Sequence, residues 1–135
     1  MGDDYRVPRS FALLEELDNV KKGRTPIWTV GMAIKDPKDI ELKEFVLNIQ
    51  GPMDSPNFEG RSYEVQVLPG PNYPQTAPSV QFLRPKINLK CVDSKGRVSK
   101  FPWGRGNTIC DIGAYLFSEM KKVAHKSQPA ASTSY

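Results

Sequence analysis

Histidine and cysteine are scarce in this chain of 135 residues: one His, His125, lies close to the C-terminus, and the only thiols are Cys91 and Cys110. Neither cysteine belongs to a Cys-x-x-Cys pair or a Cys/His cluster, so zinc has no ligand set and no metal or other cofactor is expected. Nothing else in the chain resembles a secreted, disulfide-stapled domain, and both thiols are read as reduced. No apolar run approaches the ~18 residues of a membrane span. The start, Met1-Gly2-Asp3-Asp4-Tyr5-Arg6, lacks the apolar core of a signal peptide. A cytoplasmic and nuclear location without a membrane partner follows. Arg105 and Gly106 make no phosphate loop, because no strand, Lys-Ser/Thr pair or full Gly spacing surrounds them.

What is present is the composition of an ordinary globular domain, 39% hydrophobic and 25% charged. The reading is one domain over residues 1–125 and a polar tail, 126–135, with little to bury and therefore mobile. The net charge is +4. Lys86, Lys90, Lys95, Arg97, Lys100 and Arg105 gather positive charge in one stretch. No nucleic-acid motif accompanies them, and they are read as a solvated basic face rather than a nucleic-acid site.

A helix is expected from near Pro8 to Lys22, with Gly23 suited to its stop. At 100° per residue Leu13, Leu17 and Val20 share a stripe with Leu14 at its edge, whereas Phe11 falls outside it. Phe11 then either staples the chain entry to the core or stands exposed as an anchor for a partner. Three alternating runs follow. They are Trp28, Val30, Met32 and Ile34, then Phe45, Leu47 and Ile49, then Tyr63, Val65 and Val67. Val80 and Phe82 mark a fourth strand. Period two with one polar face predicts an antiparallel meander, wet on one side, with short connections carrying Gly51-Pro52 and Gly60. Four prolines within residues 69–78 make a stiff loop between the third and fourth strands. A second helix is expected to begin with Asp111 as cap and to align Ile112, Tyr115, Leu116, Met120 and Val123. The order of helix, four-stranded antiparallel meander, irregular segment and second helix predicts an α+β domain.

Residues 91–99 read Cys91-Val92-Asp93-Ser94-Lys95-Gly96-Arg97-Val98-Ser99. Asp93 to Gly96 alone is also a plain polar turn. The whole run resembles the active-site loop of the ubiquitin-conjugating enzymes, in which His-Pro-Asn, an apolar residue, a short turn, Gly, any residue and an apolar residue precede the nucleophilic Cys. Here Ser99 stands at the nucleophile's position, Cys91 at that of the oxyanion-stabilising Asn, and Leu89 and Lys90 at those of His-Pro. A serine hydroxyl supplies almost no nucleophilic anion at neutral pH without an adjacent base, and no His lies near Ser99.

Other landmarks are similar to the inactive branch, the ubiquitin-conjugating enzyme variants. They are Val7-Pro8-Arg9-Ser10-Phe11 with Leu13-Leu14-Glu15-Glu16-Leu17, then Gly51-Pro52, Asn57-Phe58-Glu59, Arg61-Ser62-Tyr63, Gly70-Pro71-Asn72-Tyr73-Pro74 and Lys86-Ile87-Asn88-Leu89. The resemblance runs in order from about Val7 to Val123.

That resemblance implies the ubiquitin-conjugating-enzyme-like fold and no catalysis of its own. It implies a heterodimer with an active ubiquitin-conjugating enzyme, non-covalent holding of an acceptor ubiquitin, and lysine-sixty-three-linked polyubiquitin chains used in DNA repair or signalling, with a ubiquitin ligase reached through the partner. It places the partner contact at Pro8, Arg9, Phe11, Leu14, Asp36 and Asp39. The acceptor contact falls at Glu44, Val46 and Asn48 on the wet sheet face, and the degenerate active site at Cys91 and Ser99. Two rival readings differ in class. In one, Cys110 is the nucleophile of an active enzyme, because Thr108-Ile109-Cys110-Asp111 resembles the end of the active motif, although Lys100 stands where its His would. In the other, the chain is a peptide-binding sorting adaptor, a branch that resembles it less over Val7 to Phe11.

Overall fold

Valine, isoleucine, leucine and aromatic residues at every second position give four strands with one apolar face each. The computed structural model describes residues 8–24, 30–104, 107–124 and 127–129. Within them Val30–Ile34 (β1), Phe45–Gln50 (β2), Ser62–Leu68 (β3) and Ser79–Arg84 (β4) pair in chain order as an antiparallel meander. The register aligns Met32 with Leu47, Leu47 with Val65, and Val65 with Phe82, so one buried row crosses the whole sheet. Val46, Asn48 and Gln50 point the other way, as the alternation requires. Trp28, placed in the first strand by the sequence, lies outside the described residues.

Two helices flank the sheet, Arg9–Lys21 (α1) and Ile109–Lys122 (α2). Gly23 has φ 74°, the left-handed geometry that ends α1 as the sequence indicates. α2 lies against β1 and β2 and buries Ile109, Cys110, Ile112, Gly113, Leu116 and Met120. Gly113 permits this approach, since a Cβ there would meet Val30 Cγ1 at 2.5 Å. The predicted cap is corrected by three residues. Thr108 is the N-cap and Asp111 is at N3, the two forming a reciprocal capping box.

The connection between β2 and β3 is also longer than predicted. It spans residues 51–61 and is fastened to the end of α2 by Ser55 Oγ and Asn57 Nδ2, which both donate to the Ala124 carbonyl at 2.6 and 3.0 Å. Within the stretch read as tail, residues 127–129 are described. Gln128 pairs with both backbone groups of Asn88, at 2.7 and 3.1 Å, and the Pro129 carbonyl accepts from Arg61 at 2.6 Å. His125, Lys126 and residues 130–135 lie outside the described residues. No helix among the described residues is long and apolar enough to cross a membrane.

Candidate functional site: an exposed helix face and a hairpin

On α1 only Leu13 and Glu16 are buried. Phe11 is 60% exposed and Leu14 55%. The staple alternative for Phe11 is thereby set aside, because a staple packs inward. The two side chains stand three positions apart and form one apolar patch on the solvent side of the helix.

Arg9 welds this helix to two loops. Its Nε and Nη2 donate to the Gly70 and Pro69 carbonyls at 2.8 and 2.9 Å, and its Nη1 and Nη2 to Glu41 and Leu42 at 2.8 and 2.7 Å. Four of its five donors are therefore used inside the chain. Asp39 is likewise turned to its own loop, accepting from the Lys43 and Glu44 N–H groups at 2.7 and 3.2 Å. Asp36 accepts from the Lys38 N–H at 3.0 Å. Among the residues assigned to the partner contact, Phe11 and Leu14 supply exposed apolar surface, while Arg9 and Asp39 hold the backbone beneath it. Pro8 is exposed at the N-cap of α1.

The sequence reading missed Ile40, which is 91% exposed. It immediately precedes Glu41, whose carbonyl Arg9 grips, so the loop that carries it is tied to the start of α1. A lone isoleucine inside the polar run Lys38-Asp39-Ile40-Glu41 carries no periodicity, and its significance is visible only once Arg9 joins loop to helix.

Glu44, Val46 and Asn48 share the outer face of the sheet. Glu44 Oε2 accepts from Gln66 Nε2 at 2.9 Å, and Lys35 Nζ stands 3.7 Å away. Val46 is half-buried between Ala33 and Gln66, and Asn48 is exposed between Gly31 and Glu64. The structure brings these three together as a mixed polar and apolar strip, separate from the α1 patch in the chain.

Residues 91–99 form a hairpin. Val92 bridges Val98, the Asp93 N–H donates to the Arg97 carbonyl at 2.9 Å, and Gly96 turns with φ 87°. Asp93 Oδ1 accepts from the Lys95 and Arg97 N–H groups, both at 2.9 Å, and its carboxyl sits below the ordinary value chiefly through the Arg97 N–H. The returning arm extends the sheet at β4: Val98 N–H donates to Val80 and Phe82 N–H to Gly96, at 2.9 and 2.7 Å. Ser99 is exposed at its end, while Cys91 is buried and its thiol is pushed up by desolvation. Trp103, left undecided by the sequence, donates from Nε1 to the Pro74 carbonyl at 3.0 Å and rests 5.6 Å from the Tyr73 ring. Arg105 and Gly106 lie outside the described residues.

The rival nucleophile fares poorly. Cys110 is buried at the start of α2, and desolvation, reinforced by Glu16 and Asp111, pushes its thiol up to about 12. At neutral pH roughly one thiol in a hundred thousand would be thiolate.

No protein-family model matches the chain. It is similar to the ubiquitin-conjugating enzyme variant MMS2 of Saccharomyces cerevisiae, 37% identical over 127 residues that cover 90% of each chain. It is also similar to the ubiquitin-conjugating enzyme E2 variant 1B of Arabidopsis thaliana, 35% identical over 121 residues covering 84% of this chain and 74% of that one. Among solved structures, human ubiquitin-conjugating enzyme E2 G1 superposes with a TM-score of 0.69 at 24% identity, over 87% of this chain and 98% of that chain. The last likeness establishes the ubiquitin-conjugating-enzyme-like α+β fold. The sequence relatives, matched over 90% and 74% of their lengths, go further: the chain belongs to the ubiquitin-conjugating enzyme variant family.

Proposed function

We propose that this chain is a non-catalytic cofactor that forms a heterodimer with an active ubiquitin-conjugating enzyme and holds acceptor ubiquitin for lysine-sixty-three-linked chain synthesis. The observation that carries the reading is the outward apolar face of α1. Phe11 and Leu14 are exposed on a helix whose opposite side is fixed by Leu13, Glu16 and Arg9. Aromatic side chains of this kind are frequent interface anchors. Ile40 is a further exposed apolar side chain, on the loop that Arg9 ties to α1.

In this reading the chemistry belongs to the partner's thioester. Ser99 and the buried thiols of Cys91 and Cys110 move no proton. The hairpin of residues 91–99 is retained as scaffold, extending the sheet beyond β4. Glu44, Val46 and Asn48 hold the acceptor ubiquitin non-covalently, so that one of its amines is presented to the partner. Fixing two reactants side by side replaces a bimolecular encounter by a high effective concentration, which is catalysis by position alone. The two surfaces are distinct, so each is removable without the other.

The experiment is a titration of the chain with a conjugating enzyme followed by calorimetry. A one-to-one complex that Phe11→Ala weakens is expected. Equal affinity of the wild-type and Phe11→Ala chains contradicts the anchor.

A further inference from the structure

The inward stripe of α1 carries two charged residues beside its apolar ones. Arg9, Leu13 and Glu16 fall within about 60° of one another on the helix surface, and Phe11 lies about 140° from Glu16. Leu13 is the single apolar side chain of α1 that is fully buried. Ala12, Leu17 and Val20 pack part-buried against the same core, so apolar contact sets which side of α1 faces inward. Two polar ties add directional constraints that apolar packing lacks. Arg9 fixes the first turn through four backbone carbonyls. One turn beyond Leu13, Glu16 Oε1 accepts the N–H of Ile109 at 2.8 Å, and Oε2 accepts the hydroxyl of Tyr73.

Both donors are tied down elsewhere. Ile109 opens α2, and its N–H is one of the first-turn groups that no helical carbonyl can reach. The Thr108–Asp111 capping box serves the Asp111 and Thr108 N–H groups, while Glu16 serves Ile109. Tyr73 is buried in the proline-rich loop with Trp103 against its ring. Each carboxylate oxygen therefore has one partner, on two elements far apart in the chain.

We infer that Glu16 is a positioning residue: its carboxyl group, shared between the Tyr73 hydroxyl and the Ile109 N–H, latches the rotation of α1 and keeps Phe11 and Leu14 turned outward. The latch stands on the geometry alone. Its consequence for partner binding rests on the docking reading above.

Amide hydrogen exchange on the free chain and partner titration test the two parts separately. Glu16→Leu removes both acceptors. Glu16→Gln keeps an acceptor for Ile109 and offers an N–H to the Tyr73 oxygen. In Glu16→Leu the α1 amides of residues 12–21 are expected to exchange at least ~tenfold faster relative to the sheet amides of Leu47 and Val65, and in Glu16→Gln within ~twofold of wild type. Partner affinity is expected to fall about tenfold for Glu16→Leu and to be restored by Glu16→Gln. Should Glu16→Leu fail to fold, Tyr73→Phe, which removes one hydroxyl and keeps the ring, is expected to accelerate α1 exchange about threefold. Unchanged α1 exchange in the folded variants overturns the latch. Faster exchange with unchanged affinity overturns its role in presenting Phe11. A wild-type chain that binds no conjugating enzyme overturns the docking reading, while the exchange comparison still decides the latch.

Discussion

The backbone N–H of Ser99 donates to the Cys91 carbonyl at 2.8 Å, and the Ser99 hydroxyl leans on the same oxygen at 3.3 Å. The two positions that the proposed reading equates with a lost active site thus close a hairpin. The hairpin is well determined by its own bonds and by β4, so its survival needs no catalytic role.

Restoring the thiol should therefore not restore the reaction. In the proposed reading Ser99→Cys supplies a nucleophile without the family's His-Pro-Asn shell, the resemblance placing Leu89, Lys90 and Cys91 at those positions. Incubated with activating enzyme, ubiquitin and ATP, the variant is expected to give no reducible ubiquitin adduct above wild type on non-reducing gels. A stoichiometric adduct contradicts this.

Removing the Phe11 ring should separate binding from folding. The side chain is mostly exposed, so Phe11→Ala is expected to leave stability within about 0.5 kcal/mol of wild type. Affinity for the partner should fall by ~2 kcal/mol or more, about thirtyfold in Kd. Chemical denaturation and calorimetry on the same preparation check both.

Val46→Asp should do the reverse at the other surface. A carboxylate between Ala33 and Gln66 on the outer face is expected to weaken acceptor ubiquitin by ~1 kcal/mol or more while leaving heterodimer affinity unchanged. Chemical-shift titration with free ubiquitin reads the first effect, and calorimetry the second.

Burial holds the Glu16 carboxyl above its ordinary value of 4.5, against the pull of the Tyr73 and Ile109 donors, with Asp111 and Glu15 adding to the rise. A raised value means that the folded chain binds this proton more tightly than the unfolded one. Its contribution is thus complete below about pH 4.5 and is lost as pH rises through the folded value. Asp18 and Asp93 are held below their ordinary values and contribute with the opposite sign, so total stability mixes the two. Subtracting Glu16→Gln isolates the first. Wild-type stability minus that of the variant, from urea titrations at a series of pH values, should decline as pH rises above about 4.5. A flat or rising difference contradicts it.

Gly113→Ala tests how closely α2 approaches β1. The added Cβ meets Val30 Cγ1 at 2.5 Å, and the stiff valine has little room to turn away. A loss of roughly 1–3 kcal/mol in denaturant stability is expected; no loss would mean that the helix shifts freely.

The sheet was legible because burial on one face writes itself into the sequence as period two, and Met32, Leu47, Val65 and Phe82 occupy inward positions as read. α1 was legible as a helix and in its apolar stripe, since Leu13 is buried and Leu17 and Val20 pack against the core, but not in the polar part of its inner face. Glu16 looks like a surface residue until Tyr73 and Ile109, distant in sequence, arrive to satisfy it. The same holds for Arg9, whose four carbonyl partners come from two loops. Phe11 was legible only as a misfit to the stripe, which left staple and anchor both open until its exposure was seen. Ile40 was not, because its neighbourhood is made by Arg9 and leaves no mark in local pattern. The start of α2 was displaced because Thr108 and Asp111 are both good caps, and the reciprocal geometry alone assigns their places.

The most direct measurement of the proposed role is linkage-resolved chain synthesis with this chain, a conjugating enzyme, activating enzyme, ubiquitin and ATP, each protein omitted in turn. Free lysine-sixty-three-linked chains are expected only when this chain and the conjugating enzyme are both present, with Phe11→Ala and Val46→Asp each reducing the yield by different routes. Chains of unchanged linkage and amount without this protein would contradict the role.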